Sequence, residues 1–169
     1  PFGQPEDHTL IVRLSTHKNS DNYVNQKLAL LHQVENSFDL VAQVTIDPTN
    51  LTAYRSYSSP SHKTVLGHDP TSCNGDIMKM THLFPQQFLD QAAKQLITAF
   101  GKGEIDDGFT GEIPILHVNG TEMIFEFRVK MHEEPNKMTL IMRDVTERKK
   151  NAKLEQDKVA LQVTARMDE

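Results

Sequence analysis

Eight histidines, one cysteine and a carboxylate group at Glu104, Asp106 and Asp107 are the residues here that could do acid–base or metal chemistry. Their spacing does not organise them. No two histidines fall four apart with a Glu between them, and there is no Cys-x-x-Cys pair, so neither common zinc pattern is present. Gly101-Lys102-Gly103-Glu104 follows a helical stretch, whereas a phosphate-binding loop leads from a strand into a helix. No nucleophile stands beside a base at a spacing that sequence alone can defend. The lone Cys73 excludes an internal disulfide and reads as a structurally neutral loop residue. These residues therefore predict no catalysis within the chain and no metal site.

Composition narrows the classes further. With 169 residues the chain suits one well-buried domain with helical extensions. A hydrophobic content of 37% fits one core plus exposed flanking helices. A net charge of −5 and a pI near 5.9 argue against a nucleic-acid surface. The basic run Arg148-Lys149-Lys150 reads as a solvated helix face. No apolar run approaches the roughly 20 residues of a membrane span, and no signal-peptide pattern opens the chain, so a cytoplasmic location is expected. The helical pattern runs to Glu169, which suggests a piece of a longer protein with an effector domain after Glu169.

The elements that would position any site follow from periodicity. Thr9 to Leu14 could be a short strand. Asp21 or Ser20 could cap a helix over residues 22–37, carrying Val24, Leu28, Leu31, Val34 and Phe38 as a narrow apolar stripe that needs a partner. Such a stripe suits either the outer face of a sheet or a second copy of itself, and Val24, Leu28, Leu31 and Val34 are the candidate dimer interface. Strands are predicted over 39–46 and 51–57 about an Asp47-Pro48-Thr49-Asn50 turn. A short helix or turn ends at Gly67. Pro85 opens a helix to about Lys102, with Phe88, Ala92, Leu96 and Phe100 on one face and Leu89 and Ala93 beside them. Strands at 109–116 and 121–132 join through Asn119-Gly120, a strong hairpin signal, and 138–143 completes the sheet. Two strands, short helices, one long helix and three strands predict an α+β fold, an antiparallel sheet of five strands with helices on one face.

At the end of that last strand, Met138, Leu140 and Met142 alternate with Thr139, Ile141 and Arg143. A charged helix with no Gly or Pro then runs to the terminus. Asp144 and Glu147 have capping-box spacing, and Thr146 is an alternative N-cap. Arg143, Asp144 and Thr146 are thus expected to couple the sheet to the helix, Asp144 either capping it or pairing with a cation such as Arg143. In the helix itself Val145, Ala152 and Val159 repeat every seven residues, as do Leu154 and Leu161, without clean coiled-coil alternation. It is either a helix that pairs with its copy or a frayed tail.

Arg143-Asp144-Val145-Thr146-Glu147-Arg148-Lys149 resembles the terminal signature of bacterial PAS sensor domains (the PAS/PAC family), in which an Asp-aliphatic-Thr step leads into a signalling helix. The resemblance runs back over about residues 38–150. It takes in Val65-Leu66-Gly67-His68-Asp69-Pro70, His82-Leu83-Phe84-Pro85, the Phe100-Gly101-Lys102-Gly103-Glu104 helix stop and Val118-Asn119-Gly120-Thr121. It implies an N-terminal extension at 1–37, a PAS domain at 38–146 and a C-terminal signalling helix or linker at 147–169. It also implies a pocket between helices and sheet drawn from Phe84, Phe88, Leu96, Phe100, Phe125, Phe127 and Met142, which would hold a small molecule or simply fill the core.

Two cofactors of similar domains can be weighed on residues. The haem ligand resembles a His one or two turns into the long helix, but Phe88-Leu89-Asp90-Gln91-Ala92-Ala93 has none and His82 precedes the helix. Covalent flavin photochemistry resembles a Cys in an Asn-Cys-Arg-Phe-Leu-Gln-like segment, whereas Cys73 sits in Thr71-Ser72-Cys73-Asn74-Gly75, and the chain has no Trp. Neither haem nor covalent flavin is supported. The resemblance leaves two functions open: a sensory and dimerisation module in a histidine kinase, cyclic-di-GMP enzyme or transcription regulator, or a ligand-free interaction module that holds two chains in register.

Overall fold

The computed structural model describes residues 39–167. The helix expected at 22–37, with Val24, Leu28, Leu31 and Val34, and the strand expected at 9–14 lie outside the described residues.

Two hairpins and a linking strand make the sheet. β1 (Leu40–Asp47) pairs with β2 (Thr52–Ser58), with a bulge between Gln43 and Val44. The turn between them is set by Asp47, whose carboxylate accepts from the amides of Thr49 and Asn50 and from Asn50 Nδ2. β4 (Thr110–Leu116) and β5 (Glu122–Met131) form the second hairpin. There Gly120 adopts φ 85°, a left-handed conformation that Gly takes at little cost. β6 (Lys137–Asp144) lies between the hairpins, paired with β1 and β5. A two-residue strand, β3 (Gly75–Asp76), adds to the edge at β2. The order is β3-β2-β1-β6-β5-β4, every pair antiparallel. The sheet thus has six strands where five were expected; two residues are too few to show a period of two.

Three helical stretches cover the inner face. α1 (Ser61–Leu66) ends at Gly67, and single 3₁₀ turns at Pro70–Cys73 and Ile77–Lys79 follow. The long helix begins after Pro85 and contains a π-helical turn, Phe88–Ala92, before α2 (Ala93–Gly101). Its most buried residues are Leu89, Ala93 and Ile97, at 1%, 5% and 3% exposure. The stripe expected at the centre of the face, Phe88, Ala92, Leu96 and Phe100, is only half-buried. Leu89, Ala93 and Ile97 are themselves four apart, and Ile97 outcompetes the bulkier Phe100 for the position over the sheet.

The core joins these helices to alternate residues of the strands: Leu40, Ala42, Val44 and Ile46 on β1, Phe125, Phe127 and Val129 on β5, Met138 and Met142 on β6. Twenty-two residues, Thr146–Met167, form α3, none of them buried.

Candidate functional site

Between α2 and the inner face of the sheet lies a cavity of about 90 Å³. Strand alternation supplies one wall, with Val44 and Ile46 from β1, Ala53 from β2, Ile113 from β4, Phe127 and Val129 from β5, and Met138 and Leu140 from β6. Phe84, Phe88, Ala93, Leu96 and Ile97 form the other, with Ile77 and Ile105 at the sides. The Phe84 and Phe88 rings stack, 5.4 Å apart. π-Turns inside α-helices occur often at functional sites, and this one includes Phe88. An apolar cavity several times the volume that admits one water, about 10–15 Å³, stays dry and takes small apolar groups.

Of the seven pocket residues drawn from the sequence, Phe84, Phe88, Leu96 and Phe127 line this cavity. Phe125 and Met142 are buried in the core beyond it, at 0% and 1% exposure, on the side nearer the end of β6. Phe100 is half-buried at the end of α2 and packs against the core without lining the cavity. The strand residues Val44, Ala53, Ile113 and Val129 were legible as one face of each strand, but aromatic size drew attention away from them. The lining carries no His. His82 is exposed and donates through Nε2 to the Ser72 carbonyl, and the buried Cys73 lies outside the lining.

Beyond the cavity along β5 and β6, β6 becomes α3. The Asp144 carboxylate accepts from the Thr146 amide at 2.9 Å and its hydroxyl at 2.6 Å. The bond falls on Thr146, two residues on, rather than on Glu147 as capping-box spacing predicts. Thr146 Oγ1 in turn accepts from the Ile124 amide of β5, and the Val145 amide donates to the Ile124 carbonyl, both at 2.9 Å. Both backbone groups of one β5 residue therefore hold the root of α3, and Val145 is buried at 3% exposure. Arg148 pairs with Glu126 on β5 at 2.7 Å, and Lys149 with Glu112 on β4. Arg143 does not pair with Asp144. Its Nε and Nη2 reach the two oxygens of Asp39, both at 3.2 Å, which pushes the Arg143 pKa up. Arg143 thus ties the start of β1 to the end of β6, neighbours in the sheet.

A second polar cluster, unforeseen from the sequence, lies under α1. Arg55 is buried on the inner face of β2 at 2% exposure, and its Nη2 is 3.0 Å from His62 Nε2. A guanidinium has no acceptor, so Nε2 accepts and the imidazole proton sits on Nδ1, which donates to the Ser59 carbonyl at 2.9 Å. Burial, reinforced by the Arg55 charge, pushes the His62 pKa down to about 3 and fixes it as neutral. Burial likewise brings Arg55 down to about 10, still protonated at neutral pH. Ser59 Oγ accepts from the Val41 amide and bonds to Ser61 Oγ, which donates to the Asp39 carbonyl. Ser58 Oγ is 2.9 Å from Asn74 Oδ1 and holds the Pro70–Cys73 turn. The signal for Arg55 was strand alternation: Ala53 and Arg55 share a face.

An antiparallel sheet in this order, helices on its inner face and an apolar cavity beneath them define the PAS fold, and comparison with solved structures agrees. An RNA-binding light-oxygen-voltage receptor superposes with a TM-score of 0.61 at 13% identity, over 80% of this chain and 38% of that one. The PAS domain of a protein from Colwellia psychrerythraea gives 0.54 at 18%, over 74% of this chain and 98% of that one. A domain of a sensory box sensor histidine kinase/response regulator from Geobacter sulfurreducens gives 0.52 at 14%, over 70% and 94%. No family model and no curated protein matches the sequence. At these identities the shared property is the fold. Among the described residues no helix is long and apolar enough to cross a membrane, and no cluster of three or more His, Cys, Asp or Glu could hold a metal ion.

Proposed function

We propose that the chain is the sensory and dimerisation module of a bacterial signalling protein. A change in its core or dimer geometry passes through Arg143, Asp144 and Thr146 to an output domain after Glu169, of the histidine kinase, cyclic-di-GMP or transcription-regulator class. One observation carries this reading. β5 and β6 supply Phe127, Val129, Met138 and Leu140 to the cavity, and the same strands hold the root of α3 through Ile124 and Asp144. A ligand that spreads the cavity wall displaces the strands on which α3 is pinned. The sensor kinase domain with this fold supports the same assignment.

α3 supplies the second half of the proposal. Leu154, Val159, Leu161 and Val163 are 57%, 59%, 71% and 51% exposed. Burial of such side chains is worth roughly 1.5–3 kcal/mol each, and Leu154 and Leu161 recur at seven, so a second copy of α3 is the partner that fits. The N-terminal stripe Val24, Leu28, Leu31 and Val34 would add to that dimer. The exposed apolar residues of α3 also favour the alternative, a ligand-free module that only holds two chains in register.

The test is a fusion of residues 1–169 to a histidine-kinase core. Asp144→Ala should leave the sensor domain folded, its thermal midpoint lowered by only about a few degrees, while autophosphorylation no longer depends on the state of the cavity. Unchanged dependence would make the junction a mere linker.

A further inference from the structure

The cavity beneath α2 is distinguished by what its wall lacks. Every residue that lines it is apolar, and no polar atom of side chain or backbone is exposed to it. A hydroxyl, amide or charge that entered would lose its hydration and find no partner. Two small residues face the void from opposite walls, Ala53 on β2 and Ala93 on α2. A longer aliphatic side chain at Ala53 would fill it and restore the contacts that its lining forgoes. The chain thus leaves open, at a cost in stability, a space that one substitution would close.

A second concavity shows how that space is reached. An open groove runs between the long helix and the β4 edge, bordered by Gln91, Gln95, Glu112 and Pro114. Phe88 and Leu96 line both the groove and the cavity, and both are half-buried. They are the partition between solvent and void. Phe88 also opens the π-turn, its carbonyl accepting from the Ala93 amide. A return of that turn to α-helical bonding rotates Phe88 by about 100° about the helix axis and carries its ring off the partition without unfolding the helix.

We propose that the cavity is a site for a neutral molecule without hydrogen-bonding groups, admitted from the groove between Phe88 and Leu96. This deepens the proposed function and rests on its reading of the cavity as a ligand site. At about 90 Å³ the space limits the molecule to about benzene size or smaller. An apolar molecule that passes from the hydrated groove to the cavity removes its whole surface from water. A carboxylate or an amine meets nothing inside that offsets its desolvation.

Toluene, phenol and benzoate share one ring and differ in the group it carries. The experiment titrates the full chain with each, followed by NMR, with the Phe84, Val129 and Met138 side chains locating the occupant. Toluene should bind about tenfold or more tightly than phenol, and benzoate should not enter. Phenol or benzoate bound as tightly as toluene would overturn the apolar class and leave the cavity standing as a ligand site. Binding of none of the three removes both readings. Ala53→Ile, which fills the void, should weaken toluene about tenfold or more. Undiminished binding there would put toluene elsewhere and overturn the proposal. If that variant fails to fold, the wild-type comparison decides alone. The route has its own control. Leu96→Ala and Ile97→Ala delete side chains of like size from the cavity wall, but Ile97 does not border the groove. Toluene should exchange severalfold faster in Leu96→Ala than in Ile97→Ala, or than in Ile97→Val if the larger deletion unfolds. Equal rates would overturn entry past Leu96.

Discussion

Among the described residues two polar clusters fasten a helix to the sheet, and they are built in opposite ways. At the C-terminal end, Asp144 and Thr146 fasten α3 to Ile124 in a partly solvated setting with every bond made between near neighbours or adjacent strands. Toward the other side of the sheet, Ser59, Ser61 and His62 fasten α1 over β1 and β2 with Arg55 fully enclosed beneath them. Exposed polar bonds exchange with water and are worth little each, so the first cluster can be loosened without unfolding the domain. Buried ones leave unsatisfied groups when broken. One cluster is therefore made to yield and the other to hold.

The largest break should come at the enclosed cluster. His62→Leu removes the hydrogen-bond partner that the Arg55 guanidinium has among the described residues and should cost about 3 kcal/mol in urea unfolding. The double variant Arg55→Met, His62→Leu should recover most of that loss, because no buried charge is left. Equal losses in single and double variants would mean that packing, not the polar bond, holds α1.

A pH series isolates His62. Its folded pKa, about 3, lies below the ordinary 6.5, so below pH 6.5 the unfolded chain takes up a proton that the folded chain refuses. Stability is fully present above pH 6.5 and falls as pH drops toward 3, by at most about 1.4 kcal/mol per pH unit from this group. Between pH 6.5 and 5 the carboxylates scarcely contribute. His62→Gln, which keeps an acceptor for Arg55, should flatten the slope in that window; an unchanged slope would place the titration in another group.

At the yielding cluster the effects should be smaller and local. Thr146→Val loses the acceptor for the Ile124 amide and should cost about 1–2 kcal/mol, and Asp144→Ala about 0.5–2 kcal/mol. Both should speed hydrogen exchange in the first turn of α3 and leave exchange in β1 as it was. Faster exchange throughout the sheet would show that this cluster holds the fold as firmly as the other.

The same contrast explains what the sequence disclosed. The strands among the described residues, the Asn119-Gly120 hairpin and the helix after Pro85 are short-range patterns, and each is where periodicity or turn chemistry places it; at the junction Asp144 bonds Thr146 rather than Glu147. The cavity was legible only through Phe84, Phe88, Leu96 and Phe127, because a concavity depends on which small residues, here Ala53 and Ala93, meet across elements. Phe100 looked equivalent to Leu96 on a helical face but lies a turn beyond the cavity. The Arg55–His62 bond joins two elements, and a lone Arg in a strand does not announce whether it will be enclosed. Arg143 found its partner 104 residues away at Asp39, which no local spacing encodes.

The central claim is that the state of the cavity is felt at the root of α3. Hydrogen exchange at residues 147–151 of the full chain, measured with and without saturating toluene, tests it directly. Occupancy should change protection in that first turn severalfold in the wild type and leave it unaltered in Thr146→Val, while β5 amides respond in both. If β5 responds and the first turn of α3 does not, the cavity and the helix are independent and the account of signal transfer is wrong.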